Sequence, residues 1–388
     1  YCVDCRFCED IGAEPLPVLA AGGPCQNSGT HSHYADNCPQ GANKELMRYG
    51  QQGGIPMEEM PAYIQDVLDL IEYANGDARR TVWGRKRAEA GHPKPFNLKY
   101  IGIGNEDMIT EVFEERFAMI YKAVREKHPE ITVVGTVGPF YEGADYAEGW
   151  RLATELGVPM VDEHYYVDPG WMIHNQDYYD RYDRTKSKVY LGEYAAHLPG
   201  RPHNIGTAWA EARYLTSVER NADVVRLATY APLFAHVDAW QWNPDLIWFD
   251  NLRMMRTPNY YVQQMYGMNA GTDVLNLQMD GKPVTGQDSL YASAVLDAPT
   301  GEVILKLVNA GSRSEKVQIE FSGLKKRKLV SGSCTYLQSD DWKAKNTLEQ
   351  EAIVPRVRPV EVAPRSLSLE LQPRSFGVYR LRISTQSK

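Results

Sequence analysis

A repeated strand–helix unit runs from the start of this sequence to about residue 271. Short, continuously apolar segments alternate with amphipathic helical segments. We predict six strands, within residues 14–23, 98–106, 131–139, 158–166, 187–195 and 223–234. We predict helices at 58–75, around 113–124, and near 145–156, 175–183, 205–221 and 260–268. Strands without a polar face are typical of a parallel sheet that helices cover, either on both faces or around a barrel.

The pattern changes from about residue 272. Short alternating strands follow one another between Gly, Asn, Ser and Pro turns, as in "EVILKLVN", "KVQIEFSG" and "RSLSLELQ". Val317, Ile319 and Phe321 alternate with polar residues, which indicates an antiparallel β-sandwich. The 388 residues are long for one domain, so we predict an α/β domain over 1–271 and an all-β domain over 272–388.

Polar residues at the carboxyl ends of the predicted strands favour a (β/α)8-type barrel, because that end carries the active site in barrel enzymes. Six units are two short of eight, and the chain begins without Met inside a helix-like stretch, "YCVDCRFCED". We therefore expect a barrel that lacks about its first two strands, from a sequence incomplete at its N-terminus. The localisation is not predictable, and open sheet edges would favour a homo-oligomer.

The composition limits the partners. The net charge is −8, so no basic face indicates binding to nucleic acid or to an anionic membrane. Apolar runs fall short of the roughly 18 residues that a membrane span needs. The 24 tyrosines and 8 tryptophans suit a surface that binds sugar rings.

Two groups of cysteines allow more than one interpretation. Cys2, Cys5 and Cys8 form C-x-x-C-x-x-C, which suits a metal site, but this spacing also fits one side of a helix. We favour the helix, because no fourth ligand is evident. Cys25 and Cys38 lie with two histidines, His31 and His33, in the long polar loop over 22–56.

A zinc site or a disulfide in that loop is the weaker alternative to a plain loop. Cys334 stands apart from the others, and we expect it to be structural.

Two glutamates end predicted strands. Glu106 follows a Gly-Asn corner, and Glu193 follows a glycine. Because charged groups are costly to bury, two carboxylates that converge on a barrel mouth need a reason. In glycoside hydrolysis, one protonated carboxyl donates a proton to the leaving oxygen and an ionised one attacks the anomeric carbon. From the residues alone, ion pairs at the strand ends are the favoured interpretation, and the catalytic pair is the alternative.

The segments "YIGIGNED", "DEHYY" and "VYLGEYAAH" resemble α-L-arabinofuranosidases of glycoside hydrolase family 51. The similarity covers the chain from about residue 8 to its end, including "ATYAPLFAHVDAWQWNPD". The resemblance implies a (β/α)8 barrel followed by a β-sandwich, with the acid/base on strand four and the nucleophile on strand seven. Glu106 ends the second detectable strand and Glu193 the fifth. These two strands are three apart, as strands four and seven are in the family, and each strand number is lower by two.

The resemblance also implies roles for single residues. Glu106 would be the acid/base and Glu193 the nucleophile, while Asn105 would hydrogen-bond the sugar 2-hydroxyl. A strand-six pair would support the nucleophile and line the sugar site, and a tryptophan-containing segment would lie near the sugar. These further residues are His164 and Tyr166, and Trp240, Gln241 and Trp242.

Structural interpretations stay open, since His164 and the tryptophans would also suit a core. Asp107, Glu163 and His197 flank the motifs, and we do not expect them to be catalysts.

The implied mechanism is retaining, with carboxyl groups about 5–5.5 Å apart and no metal or organic cofactor required. The expected partner is an oligo- or polysaccharide: arabinoxylan or arabinan for an exo-acting arabinofuranosidase. An endo-β-1,4-glucanase or xylanase acting on β-glucan or xylan is the alternative of the same family. A non-catalytic carbohydrate-binding remnant is the alternative of another class, because family contacts such as an "RFPGG"-like segment are not in these residues.

Overall fold

The computed structural model describes residues 2–23 and 54–384. The chain divides into two compact units, Tyr1–Tyr165 with Asp183–Gly192 and Tyr166–Tyr182 with Glu193–Lys388. Within the described ranges, no helix combines the length and the apolar character needed to cross a membrane. The zinc site or disulfide considered for Cys25 and Cys38 lies outside the described residues.

All six predicted strands of the α/β region are present, most of them shorter than predicted. They form one sheet in chain order, in which β1 to β4 pair in parallel as β1–β2, β2–β3 and β3–β4. β3 and β4 are almost entirely buried, as expected for strands without a polar face. The strands are β1 Val18–Leu19, β2 Tyr100–Ile103, β3 Thr132–Thr136, β4 Met160–Val167, β5 Lys188–Ala196 and β6 Val225–Ala228.

The described residues of the first unit form five helices: α1 Cys2–Ile11, α2 Met60–Asn75, α3 Val82–Glu89, α4 Glu111–Lys127 and α5 Ala144–Leu156. The predicted α2, α4 and α5 are confirmed, and α4 buries the predicted face of Phe113, Phe117, Ile120 and Val124. α1 confirms the helical interpretation of the N-terminal cysteines, with Cys5 buried.

The sequence analysis missed α3, which has little apolar periodicity. Its buried residues are Gly84 and Arg87. The Arg87 guanidinium donates hydrogen bonds to five backbone carbonyls from two segments, 73–76 and 92–93. Thr81 caps the helix by accepting a hydrogen bond from the N–H of Gly84. A charged side chain therefore takes the place of an apolar face.

Three helices lie in the second unit: α6 Pro169–His174, α7 Ile205–Arg220 and α8 Pro258–Gly267. The helix predicted at 175–183 was wrong, because the chain forms α6 earlier and only a 3-10 turn at Tyr179–Arg181. Asp168 starts α6 by accepting a hydrogen bond from Gly170 N–H, and Pro169 occupies the first turn.

The aromatic segment between β6 and α8 contains three short strands. They are β7 Phe234–His236, β8 Ile247–Phe249 and β9 Met254–Arg256, which form a separate three-stranded sheet. Ala235, Trp248 and Met255 bury a small core on this sheet.

Antiparallel sheets follow from β10 onward, as predicted. The main sheet has the order β10-β13-β14-β19-β16-β17, and β15 pairs with β18 in a second sheet. Inward residues of both sheets, including Leu305, Leu367 and Leu381, share one core, which is the arrangement of a sandwich. The ten strands are β10 Asp273–Leu275, β11 Gln278–Met279, β12 Lys282–Pro283, β13 Leu290–Asp297, β14 Glu302–Asn309, β15 Glu315–Glu320, β16 Leu329–Gln338, β17 Arg356–Val360, β18 Ser366–Leu371 and β19 Ser375–Ile383.

β10, β11, β12, β16 and β17 were not predicted. Cys334 lies in β16 as a free thiol, fully buried in the sandwich core, which confirms a structural role.

Candidate active site

The chain turns sharply where β2 ends. Gly104 and Glu106 both have positive φ, +82° and +55°, and the backbone N–H of Asn105 donates a 2.7 Å hydrogen bond to Oδ2 of Asp107. A Cβ on Gly104 would lie 2.6 Å from Cγ2 of Thr136, so the corner requires glycine there. A non-glycine residue with positive φ is uncommon, and such backbone strain concentrates at functional sites.

Glu106 is buried at this corner, with 8% of its surface exposed. Its Oε1 lies 2.9 Å from Nδ1 of His164 on β4, whose Nε2 lies 3.0 Å from Oδ2 of Asp162. His164 and Asp162 are only 2% and 3% exposed. The first unit thus contains a buried row of carboxylate, imidazole and carboxylate, which links the predicted His164 directly to the predicted acid/base.

The two carboxylates that flank these motifs in the first unit have contacts of their own. Burial raises the pKa of Asp107 to about 7, against the opposing effect of its hydrogen bond from Asn105. Glu163 points to α5, where Nε1 of Trp150 donates a 3.1 Å hydrogen bond to its Oε1. Their contacts hold the corner and α5.

In the second unit, Glu193 lies near the end of β5 and is half-buried. The hydroxyl of Tyr166 donates a 2.7 Å hydrogen bond to Oε2 of Glu193 and lies 3.3 Å from the carbonyl of Ala231. A tyrosine hydroxyl has one hydrogen, and the shorter contact to a charged acceptor is the stronger one. Tyr166 therefore fixes the orientation of the predicted nucleophile.

Aromatic rings hold Tyr166 in place. His197 stacks on it at a centroid distance of 4.9 Å, and Trp242 lies at the same distance with tilted planes. The guanidinium of Arg201 lies 4.4 Å from the Trp242 ring, a cation–π contact. Burial, helped by the charge of Arg201, lowers the pKa of His197 to about 4, so its ring is neutral at ordinary pH.

Of the three residues predicted near the sugar, Trp242 contacts Tyr166, while the other two lie apart from that ring. Trp240 is 51% exposed and packs edge-on against Trp248 at 5.8 Å. Gln241 is exposed.

Sequence reasoning missed Asp162 and Arg201, and it did not connect His197 with Tyr166. A signal for Asp162 was present, because residues two apart on a strand share a face. Asp162 precedes His164 by two positions, as His164 precedes Tyr166. His197 and Arg201 follow β5 at irregular positions, and no local pattern indicated their contacts.

Two family models match the chain. The α-L-arabinofuranosidase 1 domain matches residues 5–184, and the α-L-arabinofuranosidase C-terminal domain matches residues 177–375, about half of the chain. The chain belongs to the α-L-arabinofuranosidase family.

Named relatives agree with this family. An extracellular exo-α-L-arabinofuranosidase of Streptomyces chartreusis is 37% identical over 89% of this chain and 39% of its own length. α-L-arabinofuranosidase 1 of Arabidopsis thaliana is 33% identical over 97% of this chain and 50% of its own length. This arabinofuranosidase-family chain thus spans half or less of the length of these two relatives.

Solved structures share the fold. An arabinose-bound family 51 α-L-arabinofuranosidase superposes with a TM-score of 0.78 at 24% identity, covering 98% of this chain and 56% of the other. A family 51 enzyme from Bifidobacterium longum gives a TM-score of 0.71 at 16% identity, covering 98% and 78%. These matches support the assignment of a barrel-type α/β region followed by a β-sandwich.

Proposed function

We propose that this chain is a retaining, exo-acting α-L-arabinofuranosidase, with Glu106 as acid/base and Glu193 as nucleophile. The observation that carries the proposal is the placement of each glutamate at the carboxyl end of a strand of one sheet, β2 and β5, in a chain of the α-L-arabinofuranosidase family. Each also has a side-chain partner suited to its role, His164 for Glu106 and Tyr166 for Glu193.

In the first half of the reaction, Glu106 donates its proton to the glycosidic oxygen as the bond to the anomeric carbon breaks. Oε1 of Glu193 attacks that carbon, since Oε2 is engaged by Tyr166. In the second half, the Glu106 carboxylate takes a proton from water, and the water oxygen displaces Glu193. The two inversions leave the anomeric configuration unchanged.

The remaining predicted residues would bind the sugar. Asn105 lies beside Glu106 at the corner, from which its amide would hydrogen-bond the sugar 2-hydroxyl. Tyr166 and Trp242 offer ring faces against a furanose, and Trp240 and Gln241 are exposed enough to contact a longer substrate. His164 would act through Glu106.

The proposed substrates are arabinofuranosyl side chains of arabinoxylan or arabinan. The names of the relatives from Streptomyces chartreusis and Arabidopsis thaliana support arabinofuranoside chemistry. We also propose that residues 1–271 form the catalytic domain and residues 272–388 the sandwich domain. We propose in addition that the chain self-associates.

The experiment is hydrolysis of 4-nitrophenyl α-L-arabinofuranoside by the wild type and by Glu106→Gln and Glu193→Gln. Both variants should lose activity, while Glu115→Gln, a change on the exposed face of α4, should not. In methanol, the wild type should form methyl α-L-arabinofuranoside, since retention transfers the sugar without a net change of configuration. The β-anomer would contradict the retaining mechanism.

The same assay separates the alternatives. Turnover of polymeric β-glucan or xylan without turnover of the arabinofuranoside would indicate the endo-acting alternative. Folded wild type that turns over none of these substrates would indicate the non-catalytic remnant.

A further inference from the structure

Asp162 is a buried carboxylate for which the proposed reaction so far has no use. It lies on β4, two residues before His164, and is 3% exposed. Only Oδ2 contacts the imidazole, at 3.0 Å, while Oδ1 is buried and has no hydrogen-bond partner among the residues that the structure describes. A buried carboxylate oxygen without a partner is costly, so the position needs a reason beyond stability.

The neighbouring strand makes room for this carboxylate. A Cβ on Gly192 would lie 2.1 Å from Oδ1 of Asp162 and 2.9 Å from its Cγ. No other residue type could occupy position 192 without moving Asp162. The glycine that precedes Glu193 is therefore required by a side chain that serves His164.

The two nitrogens of His164 both face carboxylate oxygens, Oε1 of Glu106 and Oδ2 of Asp162. Each of these contacts needs a hydrogen between its two atoms. The Nε2–H donates to Oδ2 of Asp162, and this fixes the plane of the ring and directs Nδ1–H at Glu106. Carboxylates orient histidines in this way in other catalytic arrangements.

We propose that Asp162 is a positioning residue for the acid/base step. Through His164 it holds the Glu106 carboxyl in the orientation from which it protonates the leaving oxygen. The inference rests on the proposed function, because it assigns Glu106 that proton transfer.

The step balances with no further reactant. The bond between the anomeric carbon and the glycosidic oxygen breaks, its electron pair stays on that oxygen, and the Glu106 proton binds there. His164 carries a hydrogen on each nitrogen before and after the step, so its Nδ1–H donates to Oε1 of Glu106 throughout, and the transferred proton comes from Oε2 of Glu106. Water later returns a proton to Oε2.

The test compares two leaving groups in Asp162→Asn. Phenyl α-L-arabinofuranoside needs protonation of its leaving oxygen, whereas 2,4-dinitrophenolate departs without it. General acid catalysis contributes about 10²–10⁴-fold, so a displaced acid should lower kcat/KM for the phenyl substrate by at least about 10-fold. The value for the dinitrophenyl substrate should stay within about 3-fold of wild type, because that step depends on Glu193 instead.

Equal losses on both substrates would overturn the inference, since they would indicate a general structural role. Unchanged values on both would overturn it as well.

Asp162→Ser, which is smaller and cannot clash with Gly192, is the second variant if Asp162→Asn does not fold. Asp145→Asn is the matched control, because Asp145 is a buried carboxylate whose Oδ1 accepts a hydrogen bond from Ile109 N–H. It should show no difference between the two substrates.

Glu106→Gln with the same substrates separates this inference from the proposed function. If Glu106→Gln affects both substrates equally, the acid assignment itself fails. If Glu106→Gln shows the difference between substrates and Asp162→Asn does not, only the role of Asp162 fails.

Discussion

The hydroxyl of Tyr166 donates a 2.7 Å hydrogen bond to Oε2 of Glu193. The ring that carries this hydroxyl is held between His197 and Trp242. A donor that is fixed on one carboxylate oxygen orients the other oxygen toward a substrate. The orientation of the predicted nucleophile, Glu193, therefore depends on the packing of the Tyr166 ring.

Tyr166→Phe should remove this hydrogen bond and keep the ring contacts. Hydrogen bonds to charged groups contribute about 1.5–3 kcal/mol, so we expect kcat/KM for 4-nitrophenyl α-L-arabinofuranoside to fall about 10–100-fold. The thermal unfolding midpoint should change little. Tyr266→Phe is the control, because the Tyr266 hydroxyl donates only to the carbonyl of Ala212. That variant should lose stability at unchanged kcat/KM, and the reverse pattern would contradict the assignment.

Gly192→Ala should destabilise the fold through its clash with Asp162. Overpacking typically costs about 1–3 kcal/mol, and a contact of 2.1 Å leaves the carboxylate no room. The double variant Asp162→Ala/Gly192→Ala should be more stable than the sum of the two single effects, because the methyl group fills the vacated space. Urea unfolding of the four proteins measures this coupling, and strictly additive losses would show that the two side chains do not compete.

Lys306 and Glu219 form a buried ion pair in the second unit, with Lys306 also donating to the carbonyl of Asn269. Burial lowers the pKa of Lys306 and raises that of Glu219. Lys306→Met leaves an uncompensated buried carboxylate and should cost about 3–5 kcal/mol of unfolding free energy. The double variant Lys306→Met/Glu219→Gln should lose less.

Urea denaturation followed by circular dichroism measures the Lys306 variants. The exposed pair of Arg253 and Asp250 supplies the control, since Arg253→Met should leave the free energy of unfolding close to the wild-type value. A value equally close to that of the wild type in Lys306→Met would show that water reaches the buried pair.

Glu211 on α7 is fully buried and accepts hydrogen bonds from Ala196 N–H and Asn259 Nδ2. Burial raises its pKa from 4.5 to about 8. Between these values, the unfolded chain releases a proton that the folded chain keeps. The free energy of unfolding therefore falls as the pH rises, by up to about 1.4 kcal/mol per pH unit.

Glu211→Gln should flatten this dependence between about pH 5 and pH 8. Urea unfolding across that range is the measurement, with Glu89→Gln on the exposed side of α3 as the matched control. An unchanged slope in Glu211→Gln would show that the carboxyl ionises in the folded protein at its ordinary pH.

Apolar periodicity predicted most of the fold. α4 buries the phenylalanines and aliphatic residues that its pattern placed on one face, and inward residues of β15 and β18 alternate as predicted. β7 to β9 were missed, because each has three residues and its pairing depends on contacts outside the segment. Patterns of two or three residues are too short to separate strand from loop.

The candidate site was predictable as a set of motifs but not as a set of contacts. Strand ends and family resemblance identified Glu106, Glu193, His164 and Tyr166. The contact of His164 with Glu106 joins residues 58 positions apart, and no local pattern contains it. Asp162 was predictable from the alternation along β4. The need for glycine at position 192 is evident only from the structure, in which this position lies against the Asp162 carboxylate.

The hydrogen bonds of Arg87 have a consequence for how the first unit opens. Its guanidinium binds carbonyls of residues 73–76 and of residues 92–93 at the same time. Neither segment can separate from the other without leaving a buried cation and several carbonyls without partners. We therefore expect the end of α2, the whole of α3 and the turn after it to exchange their amide hydrogens as a single cooperative unit, held together by one side chain.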